Sequence, residues 1–250
     1  SLQAQSLEMD YRILKKYIDN IETDGVVLIV VAAACLMLYK EAGTNPLYYD
    51  ILDKNENAEY SLKQKLISRF PLIKNPKRAV AIFKDKAPYD NVYDNYPDVL
   101  NEEQSQAELL HLVNVWKQLF GLKDMKSVEV PLEIKKNIEH NQELLDQIIA
   151  LCLEHNVRPV VVVPPFSERL NSFFSPEFKR EIVEQKILEC IGDRAIPFFN
   201  YQDDPYFQSR PELFTDGGFK LNERGSKIFI QKFLGDLAKQ GYRLDNIKVQ

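Results

Sequence analysis

Long apolar stretches are scarce in this chain, and none reaches membrane length. The best candidate runs from Val26 to Tyr39, with Asp24 and Lys40 closing it tightly. A helical span needs about 20 apolar residues, so the run is expected to be a buried parallel strand that enters a small-residue turn. A secretory signal would stand at the extreme N-terminus behind basic residues, and no such pattern is seen there. Positive charge is short as well. Lys and Arg number 32 against 37 Asp and Glu, a formal net charge of -5, which gives no basic stripe for nucleic acid. The three cysteines, Cys35, Cys152 and Cys190, lie far apart, with no C-x-x-C and no nearby His. Buried free thiols are the expectation, and an odd count leaves disulfides silent on the compartment. With three histidines, no clustered His/Cys/carboxylate set and no Gly-rich phosphate loop after a strand, neither a metal nor a cofactor is expected. There is a single Trp, and no internal repeat or low-complexity tract.

What remains is ordinary globular material: 250 residues, 45% hydrophobic and 28% charged. That is enough for a full core, and one α/β domain over 1–250 is expected. The chain opens with an amphipathic helix from Ser6 to Ile21. Ser6 can cap it, Glu8 and Asp10 suit its positive end, and Leu7, Tyr11, Leu14 and Ile18 recur at helical spacing. Asp24-Gly25 ends it before the strand at Val26. Residues 40–133 differ in character, being rich in Tyr, Asn, Asp and Pro, with helical pieces near 62–70 and 109–120. They read as an insertion over one end of the sheet, of the kind that walls a cleft.

The α/β rhythm returns at Ile134. Leu144, Leu145, Ile148, Ile149 and Cys152 trace one helix face, and His155-Asn156 ends that helix. Pro159 to Val163 is a strand buried on both sides, closed by Pro164-Pro165. A helix over 178–191, a strand over 196–201 and a last helix over 227–239 follow. Alternation with short links implies a parallel sheet with helices on both faces. Ligands bind at the carboxyl ends of such strands, which selects three loops: 32–35, 164–171 and 203–222. In the second, Arg169 could hold an anionic or polar group and Ser167 could contact substrate. The plain alternative makes Ser167 a helix cap and puts Arg169 on the surface.

The run Leu213-Phe214-Thr215-Asp216-Gly217-Gly218-Phe219-Lys220-Leu221-Asn222-Glu223-Arg224-Gly225 follows a strand and precedes a helix. Together with Pro164-Pro165-Phe166-Ser167 and Phe199-Asn200-Tyr201, it resembles the C-terminal half of SGNH/GDSL-type hydrolases. The bacterial branch similar to the protein that transfers D-alanine to lipoteichoic acid is the nearest in pattern, and Gln5-Ser6-Leu7-Glu8-Met9-Asp10-Tyr11 also resembles it. The likeness covers most of 1–40 and 137–240. It implies a three-layer α/β/α fold of SGNH or flavodoxin-like type, with a mostly parallel sheet. It also implies an esterase or acyltransferase acting on an acylated cell-envelope carbohydrate or polymer, outside the membrane and tethered by an N-terminal anchor that these residues do not contain.

The family's chemistry uses a Ser nucleophile, a His base, an Asp that orients it and an oxyanion hole. Aligned on Leu221-Asn222, Lys220 stands at the His position, with Asp216 slightly further upstream than the family's Asp. Ala32-Ala33-Ala34-Cys35 replaces the family's Gly-x-Asn-Asp, and the Gly-Asp-Ser loop would lie ahead of residue 1. Lys can act as a base when burial lowers its pKa, so a Ser–Lys pair of Lys220 with Ser1 or Ser6 is one expectation. A solvated Lys220, or one paired with Asp216, is the other. Asn222 is a substrate-contact candidate from the family motif and, on local sequence, the cap of the last helix. His111, His140 and His155 fall in or at the end of helices and do not restore the dyad. A catalytically degenerate member that binds the same kind of ligand or a partner in the same pathway is the competing reading. An unrelated α/β protein is the third.

Overall fold

The computed structural model describes residues 6–38, 102–215 and 218–242. Ser1, Asp216, the helical piece near 62–70 and most of the expected insertion lie outside them. Helix α1 (Leu7–Tyr17) is capped by Ser6, whose Oγ accepts from Met9 N at 3.3 Å. A 3-10 turn, Ile18–Asn20, extends it. Strand β1 (Val26–Val30) and the short α2 (Ala33–Met37) follow. Beyond the undescribed segment come α3 (Glu102–Leu119), α4 (Leu132–Glu154) and β2 (Arg158–Val163).

The second half is built from shorter pieces. Helix α5 (Glu168–Asn171) is one turn. Helix α6 (Pro176–Phe178) continues through a π-helical segment, Lys179–Glu184, into α7 (Gln185–Ile191). Strand β3 (Phe198–Asn200) and the single turn α8 (Pro205–Gln208) precede a small hairpin, β4 (Phe214–Thr215) with β5 (Lys220–Leu221). Helix α9 (Glu223–Lys239) closes the described chain.

The protein is mixed α/β with a three-stranded parallel sheet in the order β1-β2-β3. Val26 pairs with Arg158 and Val30 with Val162, while Val161 to Val163 pair with Phe198 to Asn200. Helices lie on both faces. On one, Ile29, Val31, Val161 and Val163 join a core with Leu7 of α1, Leu145 and Ile149 of α4, and Ile187 of α7. On the other, Val160, Val162 and Tyr201 meet Phe233 and Leu237 of α9. The turns that deliver α1 to β1 and α4 to β2 match each other. Asp24 and Asn156 both adopt positive φ (63° and 56°), which their short polar side chains tolerate, and Asp24 N donates to Asn156 O at 2.8 Å.

Strand β2 meets the expectation of burial on both sides. Strand β1 does not: Leu28 is 42% and Val30 46% exposed. The reason is positional. Among the described residues β1 has a neighbour on one side only, and α9 covers the sheet over β2 and β3. Helix α3 begins seven residues before the expected 109–120 piece. It sends Leu109, Val113, Trp116 and Phe120 into the main core, so the described part of 40–133 shares that core.

Candidate functional site

Three loops meet at the carboxyl ends of the strands. The first, 31–38, is held from α4. Asn141 Nδ2 donates to Leu36 O at 2.8 Å and Leu38 O at 2.6 Å, and Asn137 Nδ2 donates to Met37 O at 3.1 Å. These bonds satisfy carbonyls that a helix end leaves orphaned. Cys35 is half-buried here, and burial pushes its thiol up, with the Asp10 carboxylate adding to the effect against a backbone hydrogen bond at Ala32. A thiol raised in this way holds less of the nucleophilic thiolate.

The second and third loops are joined to each other. Ser167 is buried and caps α5, its Oγ accepting from Leu170 N at 3.3 Å. Its own amide donates to Gly218 O at 3.1 Å. Gly218 has φ +92°, and a Cβ there would lie 1.8 Å from Ser167 Oγ, so glycine is required twice over. Phe219 then enters an aromatic cluster, 5.0 Å from Trp116 and 5.7 Å from Phe166 between ring centroids. Phe174 and Phe178 extend it. Each such pair contributes on the order of 0.5–1.5 kcal/mol beyond its buried area. The β4–β5 hairpin therefore sits in a fixed place, over the end of β2.

Lys220 is exposed on β5, opposite Thr215 across the hairpin. Asn222 caps α9: its Oδ1 accepts from Gly225 N at 2.8 Å and its Nδ2 donates to Glu212 O at 2.7 Å. Gly225 is needed at that cap, since a Cβ would meet Leu213 O at 2.3 Å. Arg169 lies on the exposed side of α5. Ser6 sits at the start of α1. The structure thus brings Ser167 and Gly218 together, and carries Lys220 on the same pinned hairpin. Both Ser167 and Asn222 are committed as helix caps.

Of the histidines, two face carboxylates of the α1 segment and the third lies on α3. His111 is exposed on α3. His140 Nε2 lies 3.9 Å from Glu8 Oε2, and His155 Nε2 lies 3.4 Å from Asp19 Oδ1, both between α4 and the α1 segment. A polar hub that the sequence did not single out lies between β3 and α5. Asp203 Oδ1 accepts from Lys179 Nζ at 2.5 Å, from Gln208 Nε2 at 3.2 Å and from the buried Asn171 side chain. Asn171 Nδ2 also donates to Gln202 O at 3.2 Å, beside the buried Gln202 side chain. Lys179 opens the π-helical segment, and π-helical turns inside α-helices concentrate at functional sites. The only hint in the sequence is position: Asn171 and Asp203 bound two of the loops that strand ends select.

Among the described residues no helix is long and apolar enough to cross a membrane, and no group of three or more His, Cys, Asp or Glu could hold a metal ion. No family model, curated protein or solved structure matches this chain.

Proposed function

We propose that this chain is an SGNH-hydrolase-like protein whose working face is the carboxyl end of its parallel sheet, within a three-layer α/β/α fold carrying a long Tyr/Pro-rich insertion. Its activity is that of an esterase or acyltransferase on an acylated cell-envelope carbohydrate or polymer, outside the membrane. One observation carries the reading. The hairpin that bears Lys220 is pinned over the end of β2 by the Ser167–Gly218 contact and by Phe219. The carboxyl end of a parallel sheet is where open α/β folds bind their ligands. Lys220 is the base in this reading once bound ligand covers its exposed side chain, and Arg169 is the contact for a polar or anionic group of the ligand.

A second reading has its own support. The hydroxyl of Ser167 is committed to a cap, and His140 and His155 face carboxylates of the α1 segment, which favours a non-catalytic accessory protein that binds the same class of ligand. Hydrolysis of short-chain p-nitrophenyl esters by the protein and by Lys220→Ala separates the two. Turnover that falls at least about 100-fold in the variant, the scale of a lost general base, supports catalysis through Lys220. Turnover indifferent to the change moves the base elsewhere, and a folded protein with no turnover supports the accessory reading.

A further inference from the structure

Three donors from three elements converge on one oxygen of Asp203. Lys179 Nζ at 2.5 Å, Gln208 Nε2 at 3.2 Å and the Asn171 side-chain amide all donate to Oδ1. They stand at the start of the π-helical segment, the end of α8 and the end of α5. Among the described residues Oδ2 accepts no hydrogen bond, and the Asp203 side chain is 57% exposed. A carboxylate that only tied elements together would offer both oxygens to the tie. Here one oxygen is saturated and the other is left open.

The donors keep capacity as well. An ammonium carries several N–H groups and an amide nitrogen a pair, yet the side chains of Lys179 and Gln208 each give one to Asp203 and make no other hydrogen bond among the described residues. Behind them two buried amides hold the arrangement. Asn171 Nδ2 donates to Gln202 O at 3.2 Å, and Gln202 Nε2 donates to Asn171 Oδ1 at 3.5 Å. A group fixed from several sides needs little further ordering when a ligand arrives. Asp203 also follows the carboxyl end of β3, where ligands of open α/β sheets bind.

Charge selects the ligand. Lys179 and Asp203 cancel, and the next carboxylate, Asp204, is turned to Lys232 at 3.4 Å. An anion would meet the open oxygen of Asp203, and a cation would meet Lys179. A hydroxyl group avoids both, because it donates and accepts at once. An open acceptor beside spare N–H donors suits neighbouring hydroxyls, one donating to Asp203 Oδ2 and one accepting from Lys179 or Gln208. We propose that Asp203, Lys179 and Gln208 form a subsite for a neutral, hydroxyl-rich ligand, a sugar ring with vicinal hydroxyls. The inference rests on the carbohydrate half of the proposed function and needs no ester chemistry.

NMR titration tests it, read at the side-chain amides of Asn171 and Gln208. The probes are cellotetraose and maltotetraose, which are neutral, tetragalacturonate, an anion, and tetraglucosamine, a cation. Saturable shifts are expected with a neutral probe, which should bind at least about 10-fold more tightly than either charged one. Asp203→Asn leaves an excess positive charge. It should weaken neutral binding by about 10-fold or more, the scale of a lost hydrogen bond to a charged group, and turn the preference to tetragalacturonate. Lys179→Gln leaves an excess negative charge and should turn it to tetraglucosamine. Arg169 is common to all three proteins, so such a reversal belongs to the pair. Lys186→Met, in the surface pair with Glu189, should change nothing. The proposal is overturned if neither neutral probe shifts those amides saturably, if folded Asp203→Asn binds them as the parent does, or if the charge preference fails to reverse. Should Asp203→Asn not fold, Lys179→Gln decides alone. Ester turnover is scored separately. Sugar binding at the hub without turnover upholds the subsite and removes catalysis, while turnover with both amides silent overturns the subsite alone.

Discussion

Replacing Gly218 by Ala puts the pinned hairpin to a quantitative test. Two costs add at this position. An L-residue held at φ +92° costs about 1–3 kcal/mol of backbone strain. The new methyl must also displace Ser167 Oγ, 1.8 Å away, and Ser167 Cβ, 2.7 Å away, in a buried site. Overpacking of this kind costs about 1–3 kcal/mol. The sum is about 2–6 kcal/mol, or a fall in Tm of roughly 4–24 °C for a chain of this size. Gly235→Ala on α9 is the internal control, because nothing lies within 4 Å of its Cβ position. There the helix gains, by up to about 1 kcal/mol. Urea unfolding of the two variants beside the parent protein, read by far-UV circular dichroism, gives both signs in one experiment. A Gly218→Ala midpoint equal to that of the parent would refute the contact between the two loops.

The other predictions use the same assays. Asn222→Ala removes a cap and the bond to Glu212 O, and should cost about 1–2 kcal/mol. Asp203→Ala leaves the buried Asn171 amide without its carboxylate. It should cost about 1–2 kcal/mol, with the exposed share of the Lys179 pair adding little; an unchanged midpoint would dissolve the hub. Burial pushes the thiols of Cys152 and Cys190 up to about 11 from 9.0. In that window the folded chain keeps protons that the unfolded chain has lost, so stability holds below pH 9 and falls as pH rises towards 11. The loss should be on the order of 1–2 kcal/mol per thiol, and Cys152→Ala should flatten the slope between pH 8 and 10.5 measured by urea titration.

Local chemistry explains which features the sequence disclosed. Ser6 before Leu7 and Asn222 before Glu223 are caps whose bonds close within three residues, and both form as the sequence indicates. The β2 run of valines between Arg158 and Pro164 reads as a buried strand because its flanks stop it sharply. The exposure of β1 could not be read the same way. An apolar run says what a strand prefers, and its neighbours decide whether it is covered. The same limit hid the hub. Lys179, Asn171 and Asp203 are scattered along the chain, and only the packing of α5 beside β3 brings them within hydrogen-bond reach. Nor does local propensity foretell the π-helical segment, on either side of which Phe178 and Ile187 are buried in the same core. At the site, glycine at 218 and 225 was the legible signal, and Ser167 as the atom pressing on Gly218 was not.

Both the catalytic and the accessory reading place the ligand at the carboxyl ends of β1, β2 and β3, and amide chemical-shift mapping tests that claim most directly. The protein would be titrated with an O-acetylated oligosaccharide of cell-envelope type. Saturable shifts are predicted in the loops 31–38, 164–175 and 201–222, centred on Ser167, Asp203 and Gly218 to Lys220. Saturable shifts confined to the outer faces of α3, α4 or α9, with those loops silent, would contradict the account.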